Sequence, residues 1–124
     1  MEQDEPPLIA IVDDDACVRE GVDCLLRSYG YKTRCYCSAE EFFERGGAEA
    51  HDCVVSDVQM PGLSGVQLAG AVARSGQAVP VILMTAFPDE RVRAQAAACG
   101  CKGLLAKPCS GQRLVAAIEA ALGR

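Results

Sequence analysis

Five polar residues stand where short apolar runs give out. Asp13 and Asp14 follow Leu8-Ile9-Ala10-Ile11-Val12, Asp57 follows Cys53-Val54-Val55, Thr85 follows Val81-Ile82-Leu83-Met84, and Lys107 follows Leu104-Leu105-Ala106. Three carboxylates held within a few ångströms repel one another and raise at least one pKa. A hard cation relieves that repulsion. Mg²⁺ takes oxygen ligands from one or two carboxylates, keeps several waters and accepts substrate phosphate oxygens. Lysine adds a compact positive charge for a carboxylate or a phosphoryl group, and threonine adds a hydroxyl donor. A carboxylate nucleophile, a divalent metal and a lysine together suit phosphoryl transfer onto aspartate. Each residue alone would read as a cap, so the weight rests on whether the chain brings them to one place.

The stretch His51-Asp52-Cys53-Val54-Val55-Ser56-Asp57-Val58-Gln59-Met60-Pro61-Gly62 shows how that happens. An apolar run meets an acid and then a Pro-Gly breaker, the pattern of a buried parallel strand ending at a loop. Asp57 therefore sits at the strand's carboxyl end, where open α/β sheets place their ligand crevices. Leu8 to Val12 reads as an earlier strand buried on both faces. Val18, Val22, Leu25, Leu26 and Tyr29 then recur at helical spacing before Gly30. Tyr31 to Cys37 reads as a second strand, and Ser38-Ala39-Glu40-Glu41 as a capping box opening a short helix. After the Asp57 strand come a helix over Val66 to Val72, a fourth strand over Val79 to Met84 and an Ala-rich helix from Asp89 to Cys99. A fifth strand runs from Lys102 to Ala106, and a last helix carries Leu114, Val115, Ile118 and Leu122. Strict strand-helix alternation implies a parallel sheet with helices on both faces. Every polar residue named at the outset then projects from the same edge of one sheet.

The chain has 124 residues, half of them hydrophobic and 23% charged, which suits one globular domain with a real core. The expected division is a flexible acidic and Pro-rich extension over 1–7, followed by one domain over 8–124. A net charge of −5 speaks against a nucleic-acid footprint. No apolar run approaches the roughly 18 residues that span a bilayer, and Met1 to Pro7 lacks the features of a signal peptide, so a cytoplasmic location is expected. Eight cysteines raise the question of zinc or disulfides, but there is no C-x-x-C pair and His51 is the only histidine. The expectation is that they act as small apolar residues, with Cys17 and Cys109, which flank the acid cluster and the lysine, as the places where a redox role would show. His51 is expected to be an exposed residue at a strand start.

With Ile11-Val12-Asp13-Asp14-Asp15, Asp57-Val58-Gln59-Met60-Pro61-Gly62-Leu63-Ser64-Gly65, Met84-Thr85-Ala86 and Lys107-Pro108 in this order, the chain closely resembles the receiver domains of two-component response regulators. The likeness runs from Leu8 to about Leu122, and fits a chemotaxis-type single-domain regulator or the receiver of a nitrogen-fixation-type transcriptional regulator. It implies a flavodoxin-like, doubly wound, five-stranded parallel sheet in the order 2-1-3-4-5 with five helices. It also implies that Asp57 is the phosphoacceptor, taking a phosphoryl group from a sensor histidine kinase or a histidine phosphotransfer protein. Asp14, Asp57 and the backbone carbonyl of Gln59 would ligate Mg²⁺, Asp13 would act mainly through a water, Lys107 would contact the phosphoryl group and Thr85 would turn inward to hydrogen-bond it. The Lys107-Pro108 bond is expected to be cis. By the same likeness the protein is a switch and not a true enzyme, catalysing only its own phosphorylation and a slow autodephosphorylation.

Two positions depart from the family pattern. Leu104 stands where relatives carry Tyr or Phe, and Phe87 where a polar or small residue is common. Phe87 is therefore expected to carry the switch with Thr85, while Leu104 packs. Arg91 and Arg93 on the fourth helix are expected on a solvated face, although in this family the fourth helix, fifth strand and fifth helix often bind an effector or form a homodimer. A stand-alone receiver is favoured over the regulatory half of a longer transcription factor, because no linker or helix-turn-helix follows the last helix in this sequence. A flavin protein and a Mg²⁺-dependent phosphatase are the remote alternatives. The first suits poorly with Asp13-Asp14-Asp15, and the second normally has its nucleophile after the first strand.

Overall fold

A computed structural model describes residues 5–123. In chain order it contains β1 (Leu8–Val12), α1 (Ala16–Ser28), β2 (Lys32–Tyr36), α2 (Ala39–Glu44), a 3-10 turn (Ala48–Ala50) and β3 (Cys53–Asp57). There follow α3 (Gly65–Arg74), β4 (Val81–Thr85), α4 (Glu90–Cys99), β5 (Gly103–Ala106) and α5 (Gly111–Ala121). All neighbouring strands pair parallel, in the order β2-β1-β3-β4-β5, which is the flavodoxin-like order. The three inner strands are buried almost throughout, as strands covered on both faces must be. Continuous apolar character fails at the edge. β2 reads Lys-Thr-Arg-Cys-Tyr, with Lys32, Arg34 and Cys35 exposed, and charged residues on an edge strand discourage pairing with another chain.

The helices divide between the two faces. On one, Leu26 of α1 and Leu114, Val115 and Ile118 of α5 pack on Ile9, Ile11, Val55 and Ile82. On the other, Phe42 of α2, Leu68 and Val72 of α3 and Val92 of α4 pack on Ala10, Val12, Val54 and Leu83. Fully burying each such Val, Leu, Ile or Phe is worth about 1.5–3 kcal/mol, so the register of the inner strands is strongly specified.

Each helix opens on an oxygen-bearing cap: Asp15, Ser38, Ser64, Asp89 and Ser110 all accept from a first-turn N–H. Caps of this kind contribute about 1 kcal/mol each. The expected capping box at Ser38 is half formed. Ser38 Oγ accepts from Glu41 N at 3.0 Å, but Glu41 reaches past the cap to the Cys37 N–H at 2.8 Å. The complete box belongs to Ser64 and Gln67.

Three further expectations need correction or a boundary. His51 is buried, not exposed: the 3-10 turn before β3 folds its ring against Phe42 and Tyr36. Cysteines are not uniformly buried filler either, since Cys17, Cys24, Cys35 and Cys37 are exposed and only Cys53 is fully buried. Cys17 and Cys24 lie on α1 and Cys35 on the edge strand β2, and a thiol's small size tolerates exposed and buried settings alike. The extension expected over 1–7 lies, for residues 1–4, outside the described residues. At its far end Pro7 is buried and its carbonyl accepts from Lys32 N at 3.1 Å. Among the described residues no helix is long and apolar enough to cross a membrane.

Candidate functional site

Register assembles the site. Val12 pairs with Ser56, so Asp13 leaves β1 level with Asp57 at the end of β3. Thr85 pairs with Ala106, so Lys107 is the first residue beyond β5 and its N–H donates to Thr85 O at 2.7 Å. The Lys107-Pro108 bond is cis, as expected. Lys107 Nζ lies 3.0 Å from Asp13 Oδ2 and 3.0 Å from Asp57 Oδ1, a cation bridging two carboxylates. Asp13, Asp14 and Asp57 each offer an oxygen within 4.8 Å of the others.

These carboxylates differ in setting. Asp13 is buried, Asp57 half-buried and Asp14 exposed. Asp13 Oδ1 accepts from Asp15 N at 2.9 Å, so both of its oxygens are engaged. Burial pushes the Asp57 carboxyl above the ordinary carboxylate range. Lys107 opposes that push, and Asp13 and Asp14 add to it. Burial also works against the Lys107 ammonium, but Asp13 and Asp57 outweigh it and hold Lys107 above the ordinary lysine value. Lys107 thus stays charged and neutralises only part of the three carboxylates facing it. An all-oxygen set with excess negative charge fits a hard divalent cation such as Mg²⁺.

Thr85 is fully buried, and its Oγ1 accepts from Phe87 N at 3.1 Å. The Phe87 ring, by contrast, is 66% exposed, and Leu104 is half-buried against the α2–α4 core. Gln59 lies in the loop beyond β3 and is exposed. The structure therefore brings Asp13, Asp14, Asp57 and Lys107 into one cluster, sets Thr85 beside Lys107 through the backbone, and leaves the Phe87 ring in solvent.

Several supporting residues escaped the sequence reading. Arg19, one turn into α1, donates from Nη1 to the Asp13 carbonyl at 2.7 Å and holds the β1 end in place. Glu40 of α2 accepts from Leu63 N at 3.1 Å, tying the loop after β3 to another helix. Glu40 and Leu63 are 23 residues apart, and Arg19 reaches back six residues across the β1–α1 turn, so no helical or strand period marks either contact. Gly65 closes the motif that begins at Asp57, and the structure supplies its physical reason. A Cβ there would collide with the Asp57 carbonyl oxygen, so glycine lets α3 start directly against the end of β3. Cys17 and Cys109 line one apolar groove of about 520 Å³ between α1 and α5, with Lys107 at its wall.

Residues 9–119 match the family described as the response regulator receiver domain. The chain belongs to the response-regulator receiver family. It is 38% identical over 114 residues to the transcriptional regulatory protein TdiR of Thauera aromatica, which covers 92% of this chain and 50% of that protein. It is 35% identical over 116 residues to the transcriptional regulatory protein FixJ of Azorhizobium caulinodans, covering 94% and 55% respectively. The chain thus spans about half the length of these curated relatives. A solved putative response regulator from Chloroflexus aurantiacus superposes with a TM-score of 0.88 at 31% identity, covering 96% of this chain and 99% of that one. As a receiver, the chain is a phosphorylation-type switch by family, with an acidic pocket at the sheet edge where its members' chemistry takes place.

Proposed function

We propose that this receiver takes a phosphoryl group from a phosphohistidine of a sensor kinase or phosphotransfer protein onto Asp57. The observation that carries this reading is the Lys107 ammonium, 3.0 Å from both Asp13 and Asp57, inside a carboxylate cluster at the end of β3. An Asp57 carboxylate oxygen attacks phosphorus, the P–N bond breaks, and the donor imidazole leaves. Lys107 orients the attacking carboxylate and, after transfer, pairs with a phosphoryl oxygen. Thr85 accepts from Phe87 N, so its hydroxyl hydrogen remains free to donate to a phosphoryl oxygen. Asp13, Asp14, Asp57 and the Gln59 carbonyl would hold Mg²⁺, which when bound supplies neutralising charge for the phosphoryl oxygens. Slow loss of the phosphoryl group to water would reset the switch. Exposed Arg91 and Arg93 on α4 support α4, β5 and α5 as the output surface, meeting an effector or a second copy.

Intact mass after incubation with acetyl phosphate and Mg²⁺ tests this. A single added phosphoryl group mapped to Asp57 is expected. Mapping to another residue, or steady release of phosphate from added esters, overturns it. A second reading, the regulatory half of a longer DNA-binding regulator, is favoured by the half-length match to TdiR. An immunoblot of the natural gene product decides it: a band near 13.1 kDa excludes that reading.

A further inference from the structure

Cys99 and Cys101 flank Gly100, whose φ of +83° lies in the left-handed region that favours glycine. That turn folds both thiols back onto one atom. Cys99 Sγ donates to Ala96 O at 3.2 Å, and Cys101 Sγ donates to the same oxygen at 3.3 Å. Ala96 belongs to the final turn of α4, where carbonyls run out of helical N–H partners. Burial, and next the adjacent Cys99 thiol, push Cys101 up to about 11, so at neutral pH it is a protonated thiol and able to donate. Both residues are partly buried against the α2–α4 core. Cys99 also lines an open groove of about 550 Å³ between α3 and α4, which gives a small reagent access to one sulfur.

The other cysteines lack this arrangement. Cys35 and Cys37 share the spacing, but Cys35 lies in the edge strand β2 and Cys37 just beyond its end, and both are exposed rather than packed against the core. Cys53 is sealed in the core and pushed by burial to about 12. None of these thiols, nor the pair itself, belongs to the carboxylate cluster.

We propose that Cys99-Gly100-Cys101 is a dithiol modification site that closes to an intramolecular disulfide by exchange with a small disulfide of the glutathione class, and that closure loosens the end of α4. Cys99, which lines the groove, gives up its thiol proton, and its sulfur attacks one sulfur of the reagent. The reagent's S–S bond breaks and its first thiolate leaves. Cys101 then displaces the second thiolate and the new S–S bond forms. The protein is oxidised by two electrons, the reagent is reduced to two thiols, and the two protein thiol protons end on those products. Closure consumes both S–H donors, so Ala96 O loses both sulfur hydrogen bonds. The affected turn leads directly into β5, which puts the change on the α4–β5 side of the sheet. Because Cys101 is held protonated, the exchange is slow at neutral pH and quickens in alkali.

The test uses the full chain with Cys17, Cys24, Cys35 and Cys37, all exposed, replaced by serine, incubated with glutathione disulfide. The expected product has lost two hydrogens by intact mass, and peptide mapping joins Cys99 to Cys101. Amide hydrogen exchange over residues 97–101 should rise about tenfold and return to its starting value with dithiothreitol. In the same background Cys101→Ser should stop at a mixed disulfide on Cys99. Mapping in the unsubstituted chain repeats the measurement without the serine changes. Cys99 and Cys101 both still free thiols after exposure to the reagent, a disulfide joining any other pair, or a closed pair with unchanged exchange in α4 would each overturn the proposal.

Discussion

Lys107, Asp13 and Asp57 meet at the carboxyl edge of the sheet, while Tyr36, His51 and Gly47 meet beside α2. Both groups are buried wholly or in large part, and both are hydrogen-bonded. In the second, Gly47 O can only accept, so His51 Nδ1 donates to it at 2.7 Å. Nε2 then accepts from the Tyr36 hydroxyl at 2.8 Å. Every polar atom is matched and no net charge is buried, as a structural network requires. At the first cluster one ammonium serves two carboxylates with a third nearby, and the balance stays negative. The difference teaches where to look for function: the matched cluster holds the fold, and the unmatched one keeps the excess negative charge on which the proposed cation and phosphoryl chemistry rests.

Asp57→Asn breaks the comparison most sharply. An amide is not a nucleophile here, so phosphorylation by acetyl phosphate with Mg²⁺ should disappear entirely, read by intact mass. Substitutions in the matched cluster should leave the phosphoryl yield unchanged in protein that is still folded. A labelled Asp57→Asn protein would mean the phosphoacceptor is elsewhere.

His51→Ala should cost about 2–4 kcal/mol, since it opens a cavity and strands the Tyr36 hydroxyl and the Gly47 carbonyl. Urea melts read it. The parent protein adds a pH signature. Burial, only partly offset by the Gly47 carbonyl, holds His51 below its ordinary value of 6.5. Its contribution is therefore complete above about pH 6.5 and is lost as pH falls through the lowered value. Asp57 works in the opposite sense. Burial raises it above the ordinary 3.8, so its protonated form stabilises the fold and that contribution fades as pH rises through the raised value. Melts of His51→Leu and Asp57→Asn across this range should each remove one limb. If His51→Leu leaves the pH profile below 6.5 unaltered, the matched cluster has been misassigned.

Divalent metal gives a smaller effect. Mg²⁺ at a hundredfold excess over Kd should stabilise the parent protein by about 2.7 kcal/mol. Asp14→Ala should lose most of that gain and block phosphorylation. Coinciding melts of the parent with and without Mg²⁺ would count against the cluster as a cation site.

Much of the charged cluster was legible in sequence because each member ends an apolar run. In a parallel sheet that single fact carries all of them to one edge. The matched cluster was not legible, since the histidine's partner Tyr36 lies 15 residues away and a lone histidine before a strand has no distinguishing pattern. β2 was found despite its polar make-up because the turn signals around it were clear, but its exposure comes from being an edge, which only the strand order reveals. The thiol pair at the end of α4 stayed hidden for a related reason. Cys-Gly-Cys reads as a helix stop, and only the left-handed turn at Gly100 brings the two sulfurs to one carbonyl.

The finest test lies where the unmatched cluster hands over its signal. Thr85 is fully buried, and its Oγ1 is tethered to the Phe87 N–H at 3.1 Å. If Thr85 turns toward a phosphoryl oxygen on Asp57, the tether draws the Ala86-Phe87-Pro88 backbone with it, and Asp89 at the start of α4 lies next along the chain. Leu104 is half-buried and has no ring to swing into the vacated space, so its role is packing, and Leu104→Ala should cost roughly 1–2 kcal/mol, below the 2–5 of a fully buried leucine. The Phe87 ring is 66% exposed, so Phe87→Ala should change stability by no more than about 0.5 kcal/mol. Its effects should appear after phosphorylation: a shorter phosphoryl lifetime, because the ring no longer limits water near the loop, and smaller phosphorylation-dependent NMR shifts in α4. Unchanged lifetime together with unchanged α4 shifts would remove Phe87 from the switch and leave the backbone tether alone to carry it.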